Sequence, residues 1–259
     1  MTQPIRLSLT PPFAELILER PGKRNALNHA MWQAIPAHMD QVGSARGVKV
    51  LIIHGGAAGA FAAGQDITEF SSQYATRSGA MEAGAAISDA LTAVEACVKP
   101  VIAAIDGACV GGGVSLALAC DLRVASRSAR FAITPARLGL VYPPKDMALL
   151  LKQVPLGTAK ELLFTAQRLT ADEAKARGLV ERVVDGPALD AAKSLAEEIA
   201  AQSQWSTRAI KQMAEGVSRD WAPDTPEAID LFLDGFENAD HSEGYKAFLE
   251  KRAPKFPIE

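Results

Sequence analysis

Three consecutive glycines, Gly111, Gly112 and Gly113, stand between an apolar run at residues 101–105 and the helix-suited segment VSLALAC at 114–120. Glycine is costly inside regular structure, so three together mark backbone that must approach something closely. A helix that starts there turns unpaired N–H groups and the positive end of its dipole toward the glycines, and such an end stabilises an oxyanion. On this stretch alone, a glycine-rich turn that lets a helix pack on a sheet reads the same way. A second stretch repeats the arrangement: VLII at 50–53 runs into GGAAGAFAAGQD, with a helix start near Asp66. Other reactive side chains have plainer readings. Ser115 has no His–Asp pair near it in sequence and so lacks a nucleophile's setting. His29, His38, His54 and His241 fit no metal or triad spacing, and Asp66 and Glu69 suit the start of a helix.

FAAGQD (61–66) and DGxxxGGG (106–113) together resemble the two signature segments of the crotonase, or enoyl-CoA hydratase/isomerase, superfamily. RPGKRNALN (20–28) resembles the family's CoA-binding turn, ACDLRVAS (119–126) continues the second signature, and residues 160–184 and the FLEKRAPKF ending also match in order. The resemblance implies an α/β fold, a crotonase-like spiral of ββα repeats with a C-terminal helical module. Residues 1–200 would form the core with the acyl-CoA site, and 201–259 a helical oligomerisation module. It further implies an acyl-CoA thioester substrate that carries its own CoA, no separate cofactor or metal, and a homotrimer or a hexamer built as a dimer of trimers. The family's shared step holds the charge of a thioester enolate between two backbone N–H groups. By motif position these belong to Gln65 and Gly112, and losing one such donor typically costs about 10²–10³ in rate. The same matching places Lys23, Arg24, Ala26, Ala63, Gly64, Asp66, Ile67, Gly111, Ser115 and Ala136 along the substrate and its CoA.

The acid/base groups depart from the pattern. Hydratases of this family carry one glutamate two residues after the glycines and another directly after a proline; here those positions are Ser115 and Ala136. Two carboxylates position and deprotonate the added water, and a hydroxyl and a methyl cannot replace them. Tyr142 and Asp146, in LGLVYPPKD, are the first phenol and the first carboxylate in the chain after Ala136. TPARLGLVY followed by KELLFTA resembles the methylmalonyl-CoA decarboxylase branch, whose loop sets a tyrosine beside the substrate carboxylate; that branch has a histidine where this chain has Gln65. Tyr142 also reads as a loop aromatic over the acyl pocket, and Asp146 as a first-turn helix residue favoured by the dipole. The expected activity is therefore an isomerase or a decarboxylase/lyase rather than a classical hydratase, with a hydratase of unusual construction still open and a non-catalytic acyl-CoA-binding protein as the alternative.

The rest of the chain must position these groups. A net charge of −3 without a basic block argues against nucleic acid, so a CoA ester needs local positive charge. Cys97, Cys109 and Cys120, without a CxxC pair, read as reduced buried thiols of a cytoplasmic protein. The N-terminus has no apolar signal core, and Asp106 with the glycines interrupts the one long apolar run, so no membrane span is expected. Strands are expected at 5–9, 13–19, 48–54, 101–105, 122–125 and 130–133. A helix capped by Asn28 should run to about Val42, with Pro36 kinking or dividing it. Another helix is expected at 78–98, Thr170 to Glu173 forms a capping box, and only helices follow residue 187. The rhythm is not βαβ and no GxGxxG occurs, which disfavours a dinucleotide-binding fold.

Overall fold

The computed structural model describes residues 4–257 except 220 and 223, so the outer ends of the two expected units, 1–3 and 258–259, lie outside the described residues. Strand β1 (Ile5–Thr10) pairs antiparallel with β2 (Phe13–Leu18) across Pro11 and Pro12. Helix α1 (His29–Ser44) is capped by Asn28, whose side chain accepts from the Met31 N–H at 3.1 Å. From here one unit repeats: a strand joins a large sheet, a shorter strand joins a small sheet, and helix returns the chain. The first unit is β3 (Val50–His54), β4 (Ala60–Ala62), the short α2 (Phe70–Gln73) and the long α3 (Arg77–Glu95). The second is β5 (Val101–Ile105), β6 (Ala108–Val110) and α4 (Gly112–Ala119). The third is β7 (Leu122–Ser126), β8 (Arg130–Ala132), α5 (Pro144–Gln153) and α6 (Leu156–Thr165). Then come β9 (Arg168–Thr170), α7 (Ala171–Ala176) behind its Thr170–Glu173 capping box, and β10 (Arg182–Val184). Helices α8 (Ala188–Ala200), α9 (Gln204–Ser218), α10 (Pro226–Glu237) and α11 (Ala239–Leu249) follow.

The large sheet has the order β1-β2-β3-β5-β7-β10, and the small one β4-β6-β8-β9. This is the expected spiral of ββα repeats. Central strands of the large sheet bury both faces. Leu51, Ile53, Val101, Ala103 and Ile105 join the main core with α1, α3 and α4. Val50, Ile52, Ile102, Ala104 and Val124 pack on Ala188, Ala192, Leu195 and Ala196 of α8. A strand covered on both sides reads as an unbroken apolar run, which is why VLII and VIAAI do not alternate. Helix α4 is buried from Gly113 to Ala119 and is accordingly apolar all round.

One expectation changes and another is extended. Pro36 does not divide α1, which stays one helix because Met31, Trp32, Ile35, Met39 and Val42 anchor it in the core and outweigh one lost donor. Glu69 does stand at the start of a helix, the N-cap of α2, but its carboxylate does more than serve that end: it accepts from the Gln73 side chain within α2 (3.1 Å) and from the His29 N–H, 2.9 Å away, at the start of α1. All three cysteines are free and buried. No helix among the described residues is long and apolar enough to cross a membrane.

Candidate active site

The turn at residues 20–25 and the loop after β4 are laced together by buried polar groups. Asn25, fully buried, donates to the carbonyls of Gly55 (2.8 Å) and Ala60 (2.9 Å) and accepts from the Arg20 N–H (2.8 Å). The Arg20 guanidinium turns inward to Asp66 at 2.8 Å and also donates to the Ala26 carbonyl. Thr68 donates to the other Asp66 oxygen from its hydroxyl (2.6 Å) and its N–H (3.1 Å). Thr68 first, then Arg20, hold this carboxyl well below the usual range, at about 2, against the opposing effect of burial. Asp66 thus caps a one-turn helix at 67–69 and braces the loop, with both oxygens engaged.

That brace sets the direction of the Gln65 amide. Leu27 donates its N–H to the Gly64 carbonyl (2.8 Å) and accepts from the Asp66 N–H (2.9 Å). In such a bridge the intervening residue's own N–H points the other way, here toward α4. Gly112, the first residue of α4, carries one of the helix's unpaired N–H groups. A Cβ on Gly112 would lie 3.8 Å from the Gln65 nitrogen, so the backbones of the two residues run close together. Close backbone contact makes this possible. Gly64 has φ +103°, and a Cβ there would come within 3.1 Å of the Val110 carbonyl; one on Gly113 would lie 2.7 Å from the Ala62 carbonyl. Trp32, completely buried against Gly112, donates its indole N–H to the Gln65 side chain at 2.7 Å.

Next to these amides lies a chain of three side chains that the sequence holds 27 and 31 residues apart. Ser115, fully buried on α4, donates in a short hydrogen bond to Asp146 Oδ1 of α5. Its oxygen lies 2.8 Å from the Tyr142 hydroxyl. Because the Ser115 proton is committed to Asp146, the phenol donates to Ser115, and the chain runs Tyr142 to Ser115 to Asp146. Asp146 Oδ2 is buried and has no partner among the described residues. Burial pushes the Asp146 carboxyl above the usual range, while the Ser115 bond pulls it partly back. Burial, and then the nearby Asp146, push the Tyr142 phenol far up, so it stays a protonated donor.

The remaining matched positions separate. Lys23 and Ile67 are exposed at the two loops, and Ala136 is exposed on a one-turn helix at 135–138. Arg24 and Ala63 line a cleft of about 680 Å³ together with Val110, Arg130, Arg137 and Arg168. Among the described residues, none of these four arginines forms an ion pair. This is the local positive charge the overall composition lacks. Sequence reasoning found only Arg24, because Arg130 and Arg168 meet solely through the pairing of β8 with β9, and Arg137 enters from the turn beyond. Trp32 and the bracing role of Arg20 were missed as well; nothing local to either residue signals a partner 33 or 46 positions away.

Comparison with known proteins fits this geometry. Residues 12–258 match the family model described as enoyl-CoA hydratase/isomerase. A crotonyl-CoA hydratase from Syntrophomonas wolfei is 36% identical over 246 residues, spanning 94% of each chain. The bovine mitochondrial enoyl-CoA hydratase domain-containing protein 2 is 34% identical, over 94% of this chain and 84% of its own. The crystal structure of an enoyl-CoA hydratase/isomerase family protein from Hyphomonas neptunium superposes with a TM-score of 0.98 at 54% identity, covering 100% of this chain and 99% of that one. The chain belongs to the enoyl-CoA hydratase/isomerase family and has the crotonase fold.

Proposed function

We propose that this protein is an acyl-CoA enzyme that forms a thioester enolate and moves a proton or releases CO₂, rather than adding water. The observation that carries the reading is one chain of acid/base groups beside two adjacent amides. The thioester oxygen would accept from the N–H groups of Gln65 and Gly112, which lie ready without reorganisation. Asp146, with its free oxygen buried, would take the α-proton; the C–H electron pair enters the new C=C bond and the thioester oxygen carries the charge. Ser115 and Tyr142 stabilise the carboxylate before the transfer and hold the carboxylic acid for its return at another carbon. In a decarboxylation the Tyr142 phenol would instead orient the departing carboxylate. Arg24, Arg130, Arg137 and Arg168 suit the phosphates of CoA, since guanidinium forks match phosphate geometry. Lys23 and the backbone near Ala26, Ala63 and Gly64 would border the same substrate.

Hydration is the second reading, favoured by the name of the Syntrophomonas relative. One experiment separates the possibilities. The protein is incubated with crotonyl-CoA, 3-hexenoyl-CoA and methylmalonyl-CoA, and products are read by mass spectrometry for gain of water or loss of CO₂ and by proton NMR for the position of the double bond. A shifted double bond or lost CO₂ supports the proposal, a gain of water supports hydration, and binding without turnover supports a non-catalytic acyl-CoA carrier. The three free buried thiols support a reducing compartment such as the cytoplasm. Exposed Phe232, Phe236, Tyr245 and Phe248 on α10 and α11 support self-association, which we assign to a homotrimer or a dimer of trimers, testable by sedimentation.

A further inference from the structure

Glu95, the last residue of α3, touches none of the groups assigned above, yet its carboxylate is buried and gathers three cations. Lys145 donates to one oxygen at 2.6 Å, Lys152 to the other in a shorter bond, and Arg219 lies 3.0 Å away. Lys145 and Lys152 both belong to α5, seven residues apart, which puts them on one face near opposite ends of the helix. A single carboxylate therefore grips α5 at both ends. Burial pushes this carboxyl up, but the two lysine hydrogen bonds prevail and hold it at about 2, so it is an anion near neutral pH.

Packing alone does not call for such a group, because apolar side chains of similar volume often hold helices together as well or better. What two charge-assisted bonds to one rigid carboxylate add is a fixed setting of the helix along and about its axis. That setting matters here. Asp146 follows Lys145 directly, and Tyr142 stands two residues before α5. Their bonds to Ser115 on α4 survive displacements of only a few tenths of an ångström, since hydrogen bonds occupy a narrow range of length.

We propose that Glu95 is a positioning residue: by holding Lys145 and Lys152 it fixes α5, and thereby the Tyr142–Ser115–Asp146 chain. The inference rests on the proton-transfer reading of that chain. Arg219 supplies the internal control, because it binds the same carboxylate but follows α9, so its loss leaves α5 gripped at both ends.

The test compares the full-length protein with its Glu95→Gln, Lys152→Met, Lys152→Arg and Arg219→Met variants in two measurements. Amide hydrogen exchange follows protection across residues 144–153. Proton NMR in D₂O follows α-proton exchange of butyryl-CoA, which any enolate-forming site should catalyse. Glu95→Gln and Lys152→Met should lose protection in α5, and kcat should fall by about 10- to 100-fold, the scale of an ångström-sized misplacement, with KM within about twofold. Lys152→Arg should restore both quantities, and Arg219→Met should change neither. Unchanged α5 protection in folded Glu95→Gln overturns the proposal, as does an Arg219→Met variant that behaves like Lys152→Met. If Glu95→Gln does not fold, the Lys152 and Arg219 variants decide the matter. A wild-type protein that exchanges no α-proton would refute the proton-transfer reading, and the protection data would then decide the hold of Glu95 on α5 by themselves.

Discussion

The two halves of the candidate site are built from different materials. On one side, the amides of Gln65 and Gly112 are backbone, aimed by the bridge to Leu27 and by the start of α4, and brought together by close backbone contact at Gly64 and Gly113, where a side chain would crowd a carbonyl. On the other, Ser115, Tyr142 and Asp146 are side chains from two helices and a loop, joined only by hydrogen bonds to one another. Backbone donors depend on the path of the chain and survive most changes of residue type. A side-chain relay can be rewritten one residue at a time while the amides stay in place. On the proposed reading, the difference teaches that one fold could keep the step of enolate stabilisation and still change which proton moves.

Breaking the side-chain half should have the largest effect. Asp146→Asn keeps the shape and removes the proposed base, so turnover should fall by about 10²–10⁴ while affinity for a non-reactive CoA thioester stays nearly constant. The same carboxyl sets a pH signature. Its folded-state value is raised by burial, so activity that needs the carboxylate should rise with pH through a window above the ordinary value of about 3.9. Stability has the opposite sign in that window, falling as pH rises because the folded state holds the proton longer, and Asp146→Asn should flatten this dependence. A variant with an unaltered pH–rate profile would show that the relay takes no part in the chemistry.

Removing one donor from the backbone half tests the other side of the comparison. Gly112→Pro deletes an N–H at a helix position that accepts proline and should cost about 10²–10³ in kcat. Because the added ring meets Trp32, circular dichroism must show that the protein is still folded. Tyr142→Phe comes next: it removes the first donor of the relay but keeps the ring, and should lower kcat about tenfold, near the upper end of a single hydrogen bond's worth. An unchanged kcat would reduce Tyr142 to packing. The smallest effect sharpens the contrast through stability. Glu95, held at about 2 in the folded state against an ordinary 4.5, stabilises the fold fully above about pH 4.5, and that contribution fades as pH falls toward 2. Urea midpoints at pH 6 and pH 3 should therefore differ more for the wild type than for Glu95→Gln.

Much of this molecule was legible before any coordinates. The glycine triplet, FAAGQD and the apolar runs of β3 and β5 carry local signals; they marked the strands and carried the family resemblance that implied the spiral, and they singled out Gln65 and Gly112 as backbone candidates. The capping residues Asn28 and Thr170 marked real helix starts for the same local reason. Strands β4 and β6 were missed because three residues cannot display a period, and each sits inside a signature segment that reads as loop. Ser115, Tyr142 and Asp146 were each visible as candidates, but their linkage was not, since it depends on α5 crossing α4. Glu95 was invisible: one glutamate at the end of a helix resembles any solvated charge until Lys145, Lys152 and Arg219 are seen around it.

Trp32 gives the site its own optical reporter. Of the three tryptophans it alone is fully buried, and its indole N–H is bonded to the side chain of the residue whose amide faces Gly112. Trp205 lies on α9 and Trp221 follows that helix, and both are partly exposed. Replacing those two with phenylalanine leaves a protein with a single emitter touching both amide-bearing segments. A thioester carbonyl drawn between the amides would shift the Gln65 side chain and with it the polarity sensed by the indole. Stopped-flow emission from that one ring would then time the arrival of substrate independently of whatever bond is later made or broken.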